Sequence, residues 1–539
     1  MSHPDPPGQP YWRPPGPQQP GAPVPHPAGP GYAQPPMGPA PRRNRIWMVP
    51  TAAVLGVALM ATGVWASNTV INDLFGGPQP NQVFPADTVA YAQIDLKPSA
   101  TQMAGYAEFI GRLPDSVRED LDNEEDPAAD FFEESFDYLD YEEDVSPWLG
   151  RRFGAAMFPS GESEDGQGVT GALAIAVTDE AAASEALDKI KAEEGEEFEY
   201  EFRDGFAVIA ESPSILAELG SKVESDGSLA DDPEFSSDMG AAAQDSIAAG
   251  WFDIGAAAKL AGDALSSATG GSEDYGYDGY GYEDYSTGPE LPDPAELDIT
   301  GRAVAAVNVE GEYLEVRGDL FEFSAAGFSL DDYQPSETGL TELGELPSDT
   351  VFGFGGSSLD ELSEQAWDDL AGTIPEVTEE IEAGAAEVGG LEIPGDLGKV
   401  LGAQTAFGTN AISGGDDPFA DSGAFQYRAA GADKALFDEL SEAAAADSYS
   451  SPPGVKEEDG TVVLSSGSSS QDKLGDDPVY QQVMQDTEQA SLGYYMDVRA
   501  LMESTEDAPD ADQWGAVGFT ASFGDGQATS LFRWAPSGG

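Results

Sequence analysis

An α+β fold is what this sequence predicts: two tandem related units, each a mainly antiparallel sheet with helices packed on it, after a single transmembrane helix. Three observations predict it. Residues 46–66 form an uncharged apolar run, ordered sequence blocks recur at two places downstream, and within each set of blocks stretches of period two alternate with stretches of helical period.

The apolar run IWMVPTAAVLGVALMATGVWA is long enough to cross about 30 Å of hydrocarbon at about 1.5 Å per residue. Pro50 falls in its first turn, where a missing amide donor is tolerated, and Trp47 and Trp65 mark its ends. Arg42, Arg43 and Arg45 precede it, while SNTVINDLFGG after it holds one Asp and no cation. The excess of arginine sets the topology: N-terminus cytoplasmic, the rest extracellular at a plasma membrane. A cleaved secretory signal is the competing reading, since Val64 and Ala66 fit a small-residue cleavage pattern. The length of the run and the polar stretch before it favour an uncleaved signal anchor.

Residues 1–41 are Pro-, Gly- and Gln-rich and predict a disordered or polyproline-like cytoplasmic tail, with 42–66 as basic flank and span and 67–82 as linker. Tyr11, Trp12 and Tyr32 among the prolines suit a docking tract, although a plain spacer explains the composition as well.

VFPADTVAYAQIDL from Val83 echoes ELPSDTVFGFGGSSL from Glu345, with Pro85, Asp87, Thr88 and Val89 matching Pro347, Asp349, Thr350 and Val351. Leu149-Gly150 then matches Leu401-Gly402, RDGFAVIAESPS matches EDGTVVLSSGSS, LADDPEF matches LGDDPVY, GWFDI matches GYYMDV, and AVAAVNVEG matches AVGFTASFG. The shared order separates duplication from coincidence and bounds the units at 83–325 and 340–535. VAYAQIDL, ALAIAVTD, FAVIAE and YLEVRGDL alternate as strands; DEAAASEALDKIKAEE and SPSILAELGSKV read as helices. Asp204-Gly205 and Asp459-Gly460 predict a hairpin in each unit, and helices returning across one face complete the α+β reading. Ser99 with Gln102 and Ser358 with Glu361 have capping-box spacing. Two inserts enlarge the first unit. Residues 119–144 space Phe131, Phe132, Phe136 and Leu139 as an amphipathic helix, and 269–296 hold the Tyr/Gly/Asp-rich loop DYGYDGYGYEDYSTG.

The FPADTVAYAQIDL block, the WLGRRFGAAMF block and the DDPEF block followed by an aromatic strand, in that order, resemble an actinobacterial and cyanobacterial family of membrane-anchored proteins, domain of unknown function 3352. The resemblance extends from Val83 onward and implies no activity and no catalytic residue.

Chemistry is narrowed by what the exterior lacks. The two histidines, His3 and His26, lie in the tail and there is no cysteine, so Ser-His-Asp and Cys-His machinery, disulfides and the usual zinc ligand sets are excluded outside. The formal net charge is −77; four cations and one anion fall in the first 66 residues, leaving 19 cations against 99 anions beyond them. Such a surface repels phosphate backbones, so no nucleic acid is expected. FGFGGSS lacks the lysine of a phosphate loop and reads as close strand packing. The repeated Asp-Asp-Pro reads as a helix start. Calcium prefers clustered carboxylates, and the metal candidates are Asp507, Asp510 and Asp512, beside Asp122, Glu124, Glu125 and Asp126 and the loop residues Asp274, Asp278 and Asp284. None has EF-hand order, so weak calcium association and no resident cofactor is the expectation. The sequence therefore predicts a non-enzymatic, single-pass cell-envelope protein that binds an envelope protein or glycan. The alternatives are a carboxylate-dependent hydrolase acting on a glycan and a calcium-dependent adhesion module.

Overall fold

The computed structural model describes residues 79–538 apart from 96–99, 123–139, 162–167, 195–197, 244–245, 270–297, 326–327, most of 364–390, 412–422, 448–452 and 504–509. The apolar run at 46–66, its three arginines, Ser99 and the core of both inserts lie outside the described residues. Among those described, no helix is long and apolar enough to cross a membrane.

The recurring Pro-x-Asp-Thr-Val block proves to be a turn. Thr88 donates to the Pro85 carbonyl from both its amide (3.1 Å) and its hydroxyl (2.7 Å), and Thr350 does the same to Pro347 at 3.0 and 2.7 Å. Each turn feeds a central strand. The first half runs β1 (Ala90–Asp95), α1 (Ala100–Arg112), α2 (Asp115–Asp122), β2 (Leu149–Pro159), β3 (Val169–Val177), α3 (Glu180–Glu194), β4 (Glu199–Arg203), β5 (Phe206–Ala210), α4 (Pro213–Asp226), α5 (Pro233–Ala242), β6 (Ala248–Asp253), α6 (Ile254–Thr269), β7 (Thr300–Glu310) and β8 (Tyr313–Ala325), then the two-residue β9 (Phe328–Ser329). Its strands pair in the order β4-β5-β3-β2-β1-β6-β7-β8, all antiparallel.

The second half runs β10 (Phe352–Ser357), β11 (Gln404–Thr409), β12 (Phe425–Ala430), α7 (Lys434–Asp447), β13 (Gly454–Glu458), β14 (Thr461–Ser466), α8 (Pro478–Val483), β15 (Leu492–Asp497), β16 (Ala516–Gly524) and β17 (Gln527–Ala535). The pairing order β13-β14-β12-β11-β10-β15-β16-β17 repeats that of the first half strand for strand, but its register shifts two of the sequence matches by one residue, setting Ala516 against Arg302 rather than Ala303 and Tyr495, not Tyr494, against Trp251.

The sequence predicts a separate sheet for each unit, and here the structure differs. The last strands, β8 and β17, pair antiparallel, so both halves share one sheet. An unpaired terminal strand presents a row of free N–H and C=O groups, and this pairing satisfies them. Tyr313 and Gln527 occupy equivalent positions at the starts of the two strands. Counting on from each makes Leu531 the equivalent of Arg317, and those two residues face each other. A pseudo-twofold axis therefore passes between them.

A second correction concerns the helices, which cover both faces rather than one. Along β3 and β5 both faces are apolar, as in fully buried strands. Ala172, Ala174, Phe206 and Val208 lie under Ile215 and Leu219 of α4 and Phe235 of α5, while Ile175 on the opposite face packs with Ala183 and Ala186 of α3. Edge-to-face rings Phe84–Tyr91–Phe235–Trp251, with centroids 6.0, 5.3 and 5.4 Å apart, run through the first core. Tyr480 and Tyr495 (5.2 Å) with Leu343 and Leu346 form the second.

Local signals fare well where they are short-range. Asp204-Gly205 and Asp459-Gly460 both have positive φ (49° and 84°, 50° and 89°) and close the β4–β5 and β13–β14 hairpins, as a type I′ turn requires. Asp232 caps α5 through the Phe235 amide at 2.8 Å, and Asp477 caps α8 through the Val479 amide at 2.7 Å, each with Pro at the first helical position. The glycines of FGFGGSS lie within strand β10, with Gly353 and Gly355 against Leu343. Ser358 and Glu361 form no capping box. Ser358 (φ 53°) instead accepts from the Glu337 amide (2.9 Å) and donates to its carbonyl (3.0 Å), and Glu361 accepts from Ser336 (2.9 Å). The long-range partner outcompetes the local one.

Candidate functional site

Of the metal candidates, Asp507 lies outside the described residues, as do Glu124, Glu125, Asp126 and the three tyrosine-loop aspartates. Asp510 is buried and spends its carboxylate across the halves. One oxygen accepts from both the Ser116 amide (2.9 Å) and the Ser116 hydroxyl (2.6 Å), capping α2 from the far end of the chain. These hydrogen bonds to the charged form hold the carboxyl below the usual carboxylate range. Gln513 adds a bond to the Asp115 amide at 2.8 Å, and the Phe109 ring meets Trp534 edge-on at 5.8 Å. Asp512 is exposed two residues away. Among the described residues no three His, Asp or Glu side chains converge to hold a metal.

Cations are likewise committed. Among the described residues every lysine and arginine except Lys259 stands within 4 Å of a carboxylate. At the junction, fully buried Asp319 takes two bonds from Arg317 (2.6 and 3.0 Å) and one from Thr529 (2.6 Å). At the pseudo-equivalent pair, Arg533 donates to Glu315 at 2.7 Å. Such bonds leave the surface acid without a compensating positive patch.

The described surface does carry one recess with a distinct chemistry: a cavity of about 420 Å³ in the second half. One part of the lining is the crossover between the halves, where the Phe328 and Tyr333 rings meet at a tilt with centroids 4.8 Å apart, and Leu330 lines the recess with them. Another part is the helical turn after β10, which contributes Leu359, Leu362 and Ser363. Leu492 of β15, Phe523 of β16 and Leu401 close the recess. The Ser358–Glu337 bonds fix the turn that delivers Leu359, and Gly356 lets it lie on the strand: a Cβ there would stand 2.5 Å from Leu359 Cδ1. At the strand positions equivalent to Leu492 and Phe523 the first half has the smaller Ala248 and Val309, and α1 packs onto the end of β7, with Gly105 next to the Val309 carbonyl.

Residues 49–217 match the model of a family described as Protein of unknown function (DUF3352). Over that stretch the chain is similar to the DUF3352 proteins. No curated protein and no solved structure matches the chain. The DUF3352 match begins inside the apolar run and ends in α4, whereas the resemblance read from the sequence extends from Val83 through both halves. The recess is lined from Phe328 onward and so lies wholly outside the matched DUF3352 region.

Sequence reasoning missed the recess. Phe328, Leu330 and Tyr333 fall in the connection between the two units, too few and too irregular to show a period. The signal available was three large apolar residues in a stretch otherwise written in Gly, Ser, Asp, Gln, Pro, Glu and Thr.

Proposed function

We propose that this chain is a non-enzymatic, single-pass cell-envelope protein whose extracellular part arose by duplication of one eight-stranded unit and binds an envelope component. The observation that carries the reading is the recess: its walls are Leu, Phe and Tyr with one Ser, offering shape and apolar surface but no acid, base or metal ligand. The repeated strand order supports duplication, and the uncharged run with Arg42, Arg43 and Arg45 before it supports the anchor and its direction.

Two measurements test this. The chain has no cysteine, so single substitutions report topology cleanly. A membrane-impermeant maleimide is expected to label Ser225→Cys in intact cells and Ser2→Cys only after lysis; the opposite pattern overturns the orientation. Affinity capture from envelope extracts with the full chain is expected to enrich a component that neither a charge-matched acidic protein nor the recess-filled variant Leu492→Trp retains. Equal recovery on all three baits rejects binding through the recess.

A further inference from the structure

We propose that the recess takes one hydrocarbon chain of an uncharged or zwitterionic membrane lipid, its polar end left in water; this rests on the anchored binding reading above. Three features select that occupant. First, about 420 Å³ is the size of a small-molecule site rather than of a protein interface. Second, the lining supplies carbon almost throughout. A peptide laid there would bring backbone N–H and C=O groups to walls with nothing to pair them, which penalises a polypeptide and not an alkyl chain.

Third, charge at the rim selects the head group. Asp331, Asp332, Asp360 and Glu361 each adjoin a lining residue in sequence, and all but the half-buried Asp360 are exposed. Lys399, on the short helix Leu397–Leu401 that ends at the lining, is held by Asp396 at 2.6 Å. A carboxylate or phosphodiester carrying net negative charge is therefore repelled, and a neutral or zwitterionic head is not. In the anchored reading the source is the bilayer that residues 46–66 cross. Residues 67–78 span at most about 40 Å at ~3.5 Å per residue, which bounds how far the first described residues stand from the outer end of the anchor.

The test uses the full chain in nanodiscs of phosphatidylcholine doped with a phosphatidylcholine that carries a diazirine at the end of one acyl chain. After irradiation, peptide mapping by mass spectrometry is expected to find adducts at 46–66 and at Leu359–Ser363 or Phe523. The recess adducts, and only those, are expected to fall several-fold in Leu492→Trp and in Leu362→Trp, which fill the cavity from different walls, so that misfolding of one variant does not decide the matter. A diazirine phosphatidylglycerol is expected to label the recess several-fold less than the phosphatidylcholine. Adducts at 46–66 alone, or recess adducts indifferent to both fillings, overturn the lipid assignment while leaving the anchor standing. Absence of adducts at 46–66 overturns the anchored reading and the lipid source with it.

Discussion

Replacing Arg428 with methionine is expected to lower the free energy of unfolding by about 3–5 kcal/mol, the largest loss from any single side chain described above. Arg428 stands in the middle of β12, and its Nε donates to Glu342 at 2.7 Å, while Thr461 donates to the other Glu342 oxygen at 3.0 Å. Both charged side chains are about 90% buried, at 10% and 11% exposure. Removing the guanidinium leaves a carboxylate that is out of water and short of a counter-charge, and that stranded group, more than the lost contact, sets the cost. The second Arg428 contact, to Glu458 at 3.9 Å, reaches a half-exposed carboxylate and matters little. A shift of the urea midpoint read by near-ultraviolet circular dichroism measures the loss; a change below about 1 kcal/mol would contradict the assignment. The first half shows what the site tolerates without charge. The positions equivalent to Glu342, Arg428 and Thr461 are Pro80, Ala174 and Phe206, so the triple change Glu342→Leu, Arg428→Ala, Thr461→Phe is expected to recover most of what Arg428→Met loses.

The converse experiment lies in the first half. Asp238→Val is expected to cost about 3 kcal/mol, because the buried carboxylate accepts from Trp251 Nε1 at 3.0 Å and Arg302 Nε at 2.7 Å and both donors lose their partner. The cost stays below that of Arg428→Met, since Arg302 keeps Glu322 at 3.0 Å near the surface. Chemical denaturation gives the magnitude, and a change in Trp251 emission reports the stranded indole. Unaltered stability would show that Arg302 and Trp251 find other acceptors. The equivalent residues in the second half are Val483, Tyr495 and Ala516, so adding Trp251→Tyr and Arg302→Ala to Asp238→Val is expected to restore most of the stability. Each half thus carries one buried ionic cluster where the other is apolar, which argues that these clusters are alternative solutions to packing rather than parts of a shared reaction site.

What was legible in the sequence follows how far each determinant reaches along the chain. Asp204-Gly205 and Asp459-Gly460 need only their own backbone angles to make a hairpin, and Asp232-Pro233 and Asp477-Pro478 need only the next turn to start a helix, so all four could be read locally. Blocks such as Pro85–Val89 and Pro347–Val351 were legible because they recur, and the turn they form explains why their residue types persist. Ser358 misleads because a partner 21 residues back takes its hydroxyl. Asp510 misleads for the same reason on a larger scale, since Ser116 is 394 residues away. Amid so many carboxylates, nothing nearby marks Glu342, Asp238 or Asp319 as the ones the core encloses. The recess is hidden most thoroughly, because two short segments contribute three side chains each and Leu401, Leu492 and Phe523 come singly from three others.

The facing of Arg317 and Leu531 has a consequence for how the chain comes together. A strand that is terminal in its own half and meets its counterpart across a twofold is the geometry of a symmetric dimer, here written into one polypeptide. Assembly of the long sheet is then a matter of closing a loop, with an entropy set by the connecting residues, rather than of two molecules meeting in solution. Dilution leaves it intact. The same arrangement leaves a chain cut between the halves with two complementary edges of more than eight residues each, free to join with any other copy.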